Sequence, residues 1–222
     1  MSALATRALN PLVWRLPGRA ARKLRDFACT EQSSMLDLMV AARLTSAPER
    51  AALYLRHALD EQRHARTFTK RAAELDPAGA SFEARADTEA LFERLGEERF
   101  VAFVHLGEAR GCARFEAHRD YFTRSGDART ASMFEAILVD ERRHTAYTWT
   151  LLVALCGSEA RARLALRRAA LWEAWRIYRR AGRTLAHALY VALMWVLYVL
   201  VAPLALLVRL ARPERAGWTP RA

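Results

Sequence analysis

At 222 residues, with only 9 Gly and 7 Pro in a chain dominated by Ala, Leu, Arg and Glu, the composition is that of an all-helical protein with room for one domain and an appendage. The net charge of +11 is unevenly placed: residues 158–222 hold 12 Arg against 3 acids, residues 1–30 hold 6 basic residues against 1 acid, and 31–157 are slightly acidic. Basic flanks around an acidic middle argue for a membrane surface and against a nucleic-acid partner. Three cysteines (Cys29, Cys112, Cys156) without C-x-x-C spacing indicate neither a disulfide framework nor a thiolate zinc site.

Residues 1–19 read as a basic arm, lying on a membrane or on the folded domain. The arm lacks the continuous apolar core of a secretory signal; its Arg-rich, nearly acid-free composition leaves an organellar presequence as the alternative. The first helix is expected from about Ala20 to Leu44, with Leu24, Phe27, Ala28, Glu31, Met35, Leu38 and Ala42 on one face. Ser46-Ala47-Pro48-Glu49 reads as a capping box that opens a second helix ending near Leu75. Its inward face carries Tyr54, His57, Ala58, Glu61, His64, Ala65, Phe68 and Ala72.

Asp76-Pro77-Ala78-Gly79 is a loop. A third helix falls within Asp87–Arg124 and places Val101, Val104, His105, Glu108, Gly111, Cys112 and Phe115 on one side. After a turn at Ser125-Gly126-Asp127, with Asp127 as N-cap, the fourth helix turns Phe134, Ile137, Leu138, Glu141, His144, Thr145, Thr148 and Leu152 inward and stops at Gly157.

Beyond Gly157 the character changes. Residues 158–184 form a basic amphipathic segment with Leu164, Leu171, Trp172, Trp175 and Tyr178 near one face and arginines around the rest, as interfacial helices have. Leu185–Val208 has no formal charge over 24 residues. As a helix it is about 36 Å long, enough to cross a hydrocarbon core of about 30 Å. Burial in an oligomer, such as a homodimer, is the alternative for so apolar a helix. A basic tail, 209–222, follows. Arginines are denser before the span than after it, so the positive-inside rule places residues 20–157 on the cytoplasmic side of a bacterial inner membrane or its equivalent.

The chemistry lies in a repeated pentapeptide frame, Asp60-Glu61-Gln62-Arg63-His64 and Asp140-Glu141-Arg142-Arg143-His144. Each holds E-x-x-H, whose two side chains share a helix face. Glu31 precedes the first by 30 residues and Glu108 the second by 33, both on apolar faces where an unpaired carboxylate is costly. Glu31, Glu61, His64, Glu108, Glu141 and His144 are therefore candidate ligands of two metal ions. Four carboxylates and two imidazoles suit iron, or manganese, and offer no thiolate that would select zinc or copper(I). Asp60 and Asp140 are candidate outer partners of the histidines across the bundle, with Arg63 and Arg143 paired to them.

The order Glu, E-x-x-H, Glu, E-x-x-H over Ala20–Cys156 resembles the ferritin-like diiron carboxylate superfamily. Residues Asp140–Thr148 are similar to the fourth-helix signature of soluble acyl-carrier-protein desaturases, and Asp-Glu-x-Arg-His is also the frame of bacterial diiron monooxygenases. The short chain with a membrane segment looks more like demethoxyubiquinone hydroxylase. Rubrerythrins are similar too, but their four-cysteine iron domain is missing and Gly111 stands where their extra glutamate is expected. Several oxygen-activating relatives carry a threonine one turn after the third-helix glutamate, where this chain has Gly111 and Cys112.

The resemblance implies a ferritin-like four-helix bundle and a membrane-anchored, O2-dependent diiron oxidoreductase. It would hydroxylate or desaturate a hydrophobic substrate, lipid or quinone-like. With no flavin, nicotinamide or iron–sulfur motif in the chain, electrons would come from a separate reductase. Two alternatives stand beside it: a ferroxidase that handles iron, and a non-catalytic, metal-stapled module for membrane interaction.

Overall fold

In a computed structural model, which describes residues 3–77 and 90–211, every regular element is an α-helix. In chain order these are α1 (Ala3–Arg15), α2 (Arg19–Leu44), α3 (Pro48–Leu75), α4 (Leu91–Leu95), α5 (Glu97–Ser125), α6 (Ala128–Cys156) and α7 (Glu159–Ala211). The four helices read from the sequence are α2, α3, α5 and α6. Part of the expected 76–79 loop (78–79), the start of the Asp87–Arg124 stretch (87–89) and the tail from 212 onward lie outside the described residues.

The helices pair as two hairpins, α2 with α3 and α5 with α6; α3 packs on α6, and α1 lies across α5 and α2. The basic stretch 1–19 is thus helical over 3–15. Its buried stripe, Thr6, Asn10 and Trp14, recurs every four residues. Asn10 Nδ2 donates to the Ala117 carbonyl at 2.9 Å, and Trp14 Nε1 reaches His118 Nδ1 at 3.2 Å. Burial holds the His118 pKa at about 3, so the ring is neutral and its Nδ1 free to accept. Trp14 joins Phe27, Phe68, Phe115, Phe122 and Phe134 in an aromatic core. Edge-on contacts there, such as Phe27 to Phe115 at 5.4 Å, fix ring orientations as well as burying area.

Polar ties hold the hairpin ends. The Glu97 carboxylate accepts from the Thr45 hydroxyl at 2.8 Å, Arg50 Nε at 2.8 Å and the Tyr54 hydroxyl at 2.9 Å, which joins the end of α2 to the starts of α3 and α5. The expected capping box is not formed: α3 begins one residue later than that box needs, with Ala47 as N-cap and no side-chain cap bond. Pro48, whose missing N–H is no loss in the first turn, opens the helix instead. At the other end Asp127 caps α6 by accepting from Thr130 N at 3.0 Å, and Arg71 of α3 bonds the same carboxylate at 3.0 Å.

Two compact units divide the chain, Met1–Ala170 and Leu171–Ala222. Within the first, Ala162, Ala165 and Ala169 of α7 are buried. In the second, Trp175 stacks on Tyr178 with centroids 6.1 Å apart, and the Arg176 guanidinium lies 4.6 Å over the Trp172 ring. No helix break separates the amphipathic stretch from the apolar one; α7 runs continuously through Pro203. Leu189, Trp195, Leu200 and Leu207 are exposed. Among the described residues α7 is the one helix long and apolar enough to cross a membrane.

Candidate metal centre

Helical periodicity delivers the acidic residues to the interior. On α3, His57, Glu61, His64 and Phe68 fall on one stripe, and on α6 Ile137, Glu141, His144 and Thr148 do the same. Glu31 comes from α2 and Glu108 from α5. The structure brings all six residues expected as ligands together and buries every one; Glu108, the most accessible, is 7 % exposed.

Their ligand atoms fall into two groups that share Glu61: Glu31, Glu61, His64 and Glu141 in one, and Glu61, Glu108, His144 and His57 in the other. In each group the atoms lie within 4.8 Å of one another. His64 Nδ1 is 3.5 Å from Glu141 Oε1 and 3.7 Å from Glu61 Oε1. His144 Nδ1 is 3.5 Å from Glu108 Oε2 and 3.6 Å from Glu61 Oε1. His57 Nε2 is 3.2 Å from Glu61 Oε1 and 3.4 Å from Glu108 Oε1.

Four of these atoms make no hydrogen bond. His57 Nε2, Glu61 Oε1, His64 Nδ1 and His144 Nδ1 are all buried and unsatisfied. Leaving such a group unpaired costs about 1–3 kcal/mol, so a cluster of four is unfavourable unless a cation meets them. The other face of each expected ligand histidine is satisfied. His64 Nε2 pairs with Asp140 Oδ2 at 3.2 Å, and His144 Nε2 with Asp60 Oδ2 at 3.1 Å, each across the α3–α6 contact. Donation from Nε2–H leaves the Nδ1 lone pair directed at the carboxylates, the tautomer a metal needs.

The two aspartates are held by two arginines. Arg63 Nη2 donates to Asp60 Oδ1 and Asp140 Oδ2, both at 2.6 Å. Arg143 Nη2 reaches Asp60 Oδ2 at 2.5 Å and Asp140 Oδ1 at 2.7 Å. Asp60 keeps its charge: burial opposes ionisation, but His144, Arg63 and Arg143 together lower its pKa to about 2. Asp140 is lowered likewise, burial again being outweighed by Arg63 and His64.

Inside, the electrostatics reverse. Burial, then the neighbouring Glu61 and Glu108, raise Glu31 well above the usual carboxylate range. Burial also raises Glu61, as do Glu108, Glu141 and Asp60, although a bond from Glu31 works the other way. Glu141 is raised by burial, Glu108 and Glu31. Glu108 alone goes down: burial opposes its charge, yet the facing imidazoles of His144 and His57 hold it far below the usual range. Burial drops His64 to about 4, so its contacts with carboxylates are not ion pairs at neutral pH. Three carboxyls that ionise only reluctantly, Glu31, Glu61 and Glu141, beside the uncharged His64 ring fit a pair of divalent cations, which would supply the missing positive charge.

His57 and His105 each precede a glutamate by one turn, and sequence alone does not separate them. The structure does. His105 turns to α6, with Nδ1 3.0 Å from the Thr148 hydroxyl, whereas His57 faces the carboxylates and rests its ring 3.7 Å from that of His144. Tyr147, one turn beyond His144 and absent from the sequence-derived face, brings its hydroxyl 2.6 Å from His57 Nδ1. Cys112 is half-buried, and burial raises its thiol, so it stays protonated beside the cluster. Gly111 leaves a gap that a Cβ would narrow to 3.1 Å from Glu141 Oε2.

Fold and cluster together define a helical bundle with buried carboxylate–histidine sites able to hold metal ions. Comparison with protein-family models, with curated proteins and with solved structures finds no match for this chain.

Proposed function

We propose that the protein is a membrane-anchored, ferritin-like diiron oxidoreductase that uses O2 to hydroxylate or desaturate a hydrophobic, lipid- or quinone-like substrate. The observation that carries this reading is the set of buried, unsatisfied nitrogens and carboxylate oxygen shared by two E-x-x-H helices. Glu31, Glu61, His64 and Glu141 would hold one iron, and Glu108 and His144, with Glu61 common to both groups, the other. When bound, such a pair supplies the redox chemistry that activates dioxygen.

The chain's own residues do the rest. Asp60 and Asp140 fix the orientation and tautomer of His144 and His64, while Arg63 and Arg143 keep those aspartates ionised. The aromatic core around Phe27, Phe68, Phe115 and Phe134 closes off water next to the cluster. In this reading α7 holds the bundle at a bilayer, on its cytoplasmic side, where hydrophobic substrates are concentrated. Electrons come from a separate reductase.

The test is profiling of lipids and quinones in a strain carrying Glu141→Ala, with iron content measured on the purified chain. Accumulation of a reduced or saturated precursor is the expected result. An unchanged profile with two irons retained by the wild type would overturn the oxidase reading, and Fe(II) oxidation over many turnovers without reductant would replace it with ferroxidase activity.

A further inference from the structure

The two groups of candidate ligands are not equivalent. The position near Glu31, Glu61 and Glu141 meets one imidazole, His64, whereas the position near Glu108 meets two, His144 and His57. His57 Nε2 shares its state with the Nδ1 atoms of His64 and His144: buried, without a hydrogen bond, and facing two carboxylates. An imidazole serving only packing would donate Nε2–H to one of those oxygens, since a good bond lowers the energy of both buried groups. Here Glu61 Oε1 and Glu108 Oε1 lie at 3.2 and 3.4 Å, yet neither contact has hydrogen-bond geometry.

The far side of the ring completes the picture. His57 Nδ1 is 2.6 Å from the Tyr147 hydroxyl. A proton on Nδ1, donated to the Tyr147 oxygen, leaves Nε2 with a free lone pair aimed into the cluster. His64 and His144 have the same arrangement with aspartates as acceptors, and ligating imidazoles in general hold their second nitrogen this way.

We propose that His57 is a seventh metal ligand, binding through Nε2 the ion held by Glu108 and His144, with Tyr147 as the outer partner that fixes its tautomer. The inference rests on the two-metal reading of the site. The result is an asymmetric pair: one ion with two imidazoles, the other carboxylate-rich with one. The nitrogen-rich position should fill first with a metal that prefers imidazole.

The experiment is an anaerobic Co(II) titration of the full-length chain in detergent, read by ligand-field absorption and by equilibrium dialysis. The wild type should take two Co(II) in two resolvable steps. In His57→Ala one step should weaken by more than the roughly 10–100-fold that losing an outer partner costs, while the other is retained. His57→Gln, which keeps most of the side-chain volume, should show the same loss, and Tyr147→Phe a smaller one. Added imidazole should restore the affinity and absorption of His57→Ala. Two Co(II) bound by His57→Ala with wild-type affinity and spectrum would overturn the proposal, as would a loss that imidazole does not relieve. A wild type that binds no Co(II) would instead overturn the two-metal reading itself.

Discussion

The α2–α3 and α5–α6 hairpins carry the same polar frame but do not present the same interior. Both offer a lone glutamate followed by Asp-Glu-x-Arg-His, and the aspartates and arginines of the two frames interlock almost symmetrically between α3 and α6. One turn before the E-x-x-H glutamate, however, α3 has His57 where α6 has Ile137, and three residues after the lone glutamate α2 has Ser34 where α5 has Gly111. The repeated part is what any buried imidazole ligand requires: a carboxylate behind it and a cation to keep that carboxylate charged. The part that differs lies against the cluster. Its chemistry is therefore asymmetric inside a nearly symmetric support.

The largest expected effect comes from Glu61, which belongs to both groups of ligand atoms. Glu61→Gln should abolish metal binding at both positions and with it the stabilisation by metal, about 4 kcal/mol per site at a free concentration a thousand times Kd. That stabilisation should grow with pH. Glu31, Glu61 and Glu141 are raised in the folded state, so without metal their contribution to stability is present below the usual carboxylate range of about 4. It is lost as pH rises through the raised values. A divalent ion reverses this slope, because protons no longer compete for the carboxylates. Thermal melting at several pH values, with and without Fe(II) or Mn(II), reads both slopes. Metal-free Glu61→Gln should be no less stable than the metal-free wild type, and a clear drop would mean that Glu61 is there for packing.

Much of this was legible in the sequence because the signal is a contradiction: carboxylates at helical spacing on faces otherwise built from Phe, Leu and Ala. The four long helices follow from the same 3.6-residue period, and Asp127 and Gly157 mark their ends as cap chemistry requires. What stayed hidden depends on rotation about a helix axis. His57 and His105 look alike along the chain, and only interhelical packing turns one to the glutamates and the other to Thr148. The helicity of residues 3–15 was hidden for another reason. Their stripe is Thr6, Asn10 and Trp14, which is not apolar enough to register as periodic, and Asn10 is buried because its amide meets a backbone carbonyl on α5.

The outer frame predicts a smaller and equal pair of effects. Asp60→Asn and Asp140→Asn each remove a charge behind one imidazole and leave the ligand in place. Metal affinity should fall by about 10–100-fold in either variant, measured by competition with a chromophoric chelator. Because Arg63 and Arg143 each contact both aspartates, the double variant should lose less than the sum of the two, as groups in one network do. Strictly additive losses would show that the four residues act as two separate pairs.

The smallest effect is the most sensitive to the difference between the hairpins. In Gly111→Ala the new Cβ sits 3.1 Å from Glu141 Oε2, closer than ordinary van der Waals contact. The group in the way is the end of a flexible side chain, so the carboxylate yields by a few tenths of an ångström and the helix does not. Replacing a mid-helix glycine stabilises α5 by up to about 1 kcal/mol, and the metal-free chain should melt slightly higher than wild type. The displaced oxygen belongs to a candidate ligand, so metal affinity should move the other way and fall a few-fold. Ser34→Ala, at the matching position of α2, adds no atom and should leave affinity unchanged. Equal losses from the two substitutions would mean that the space beside Glu141 has no special role and that the hairpins differ only at His57.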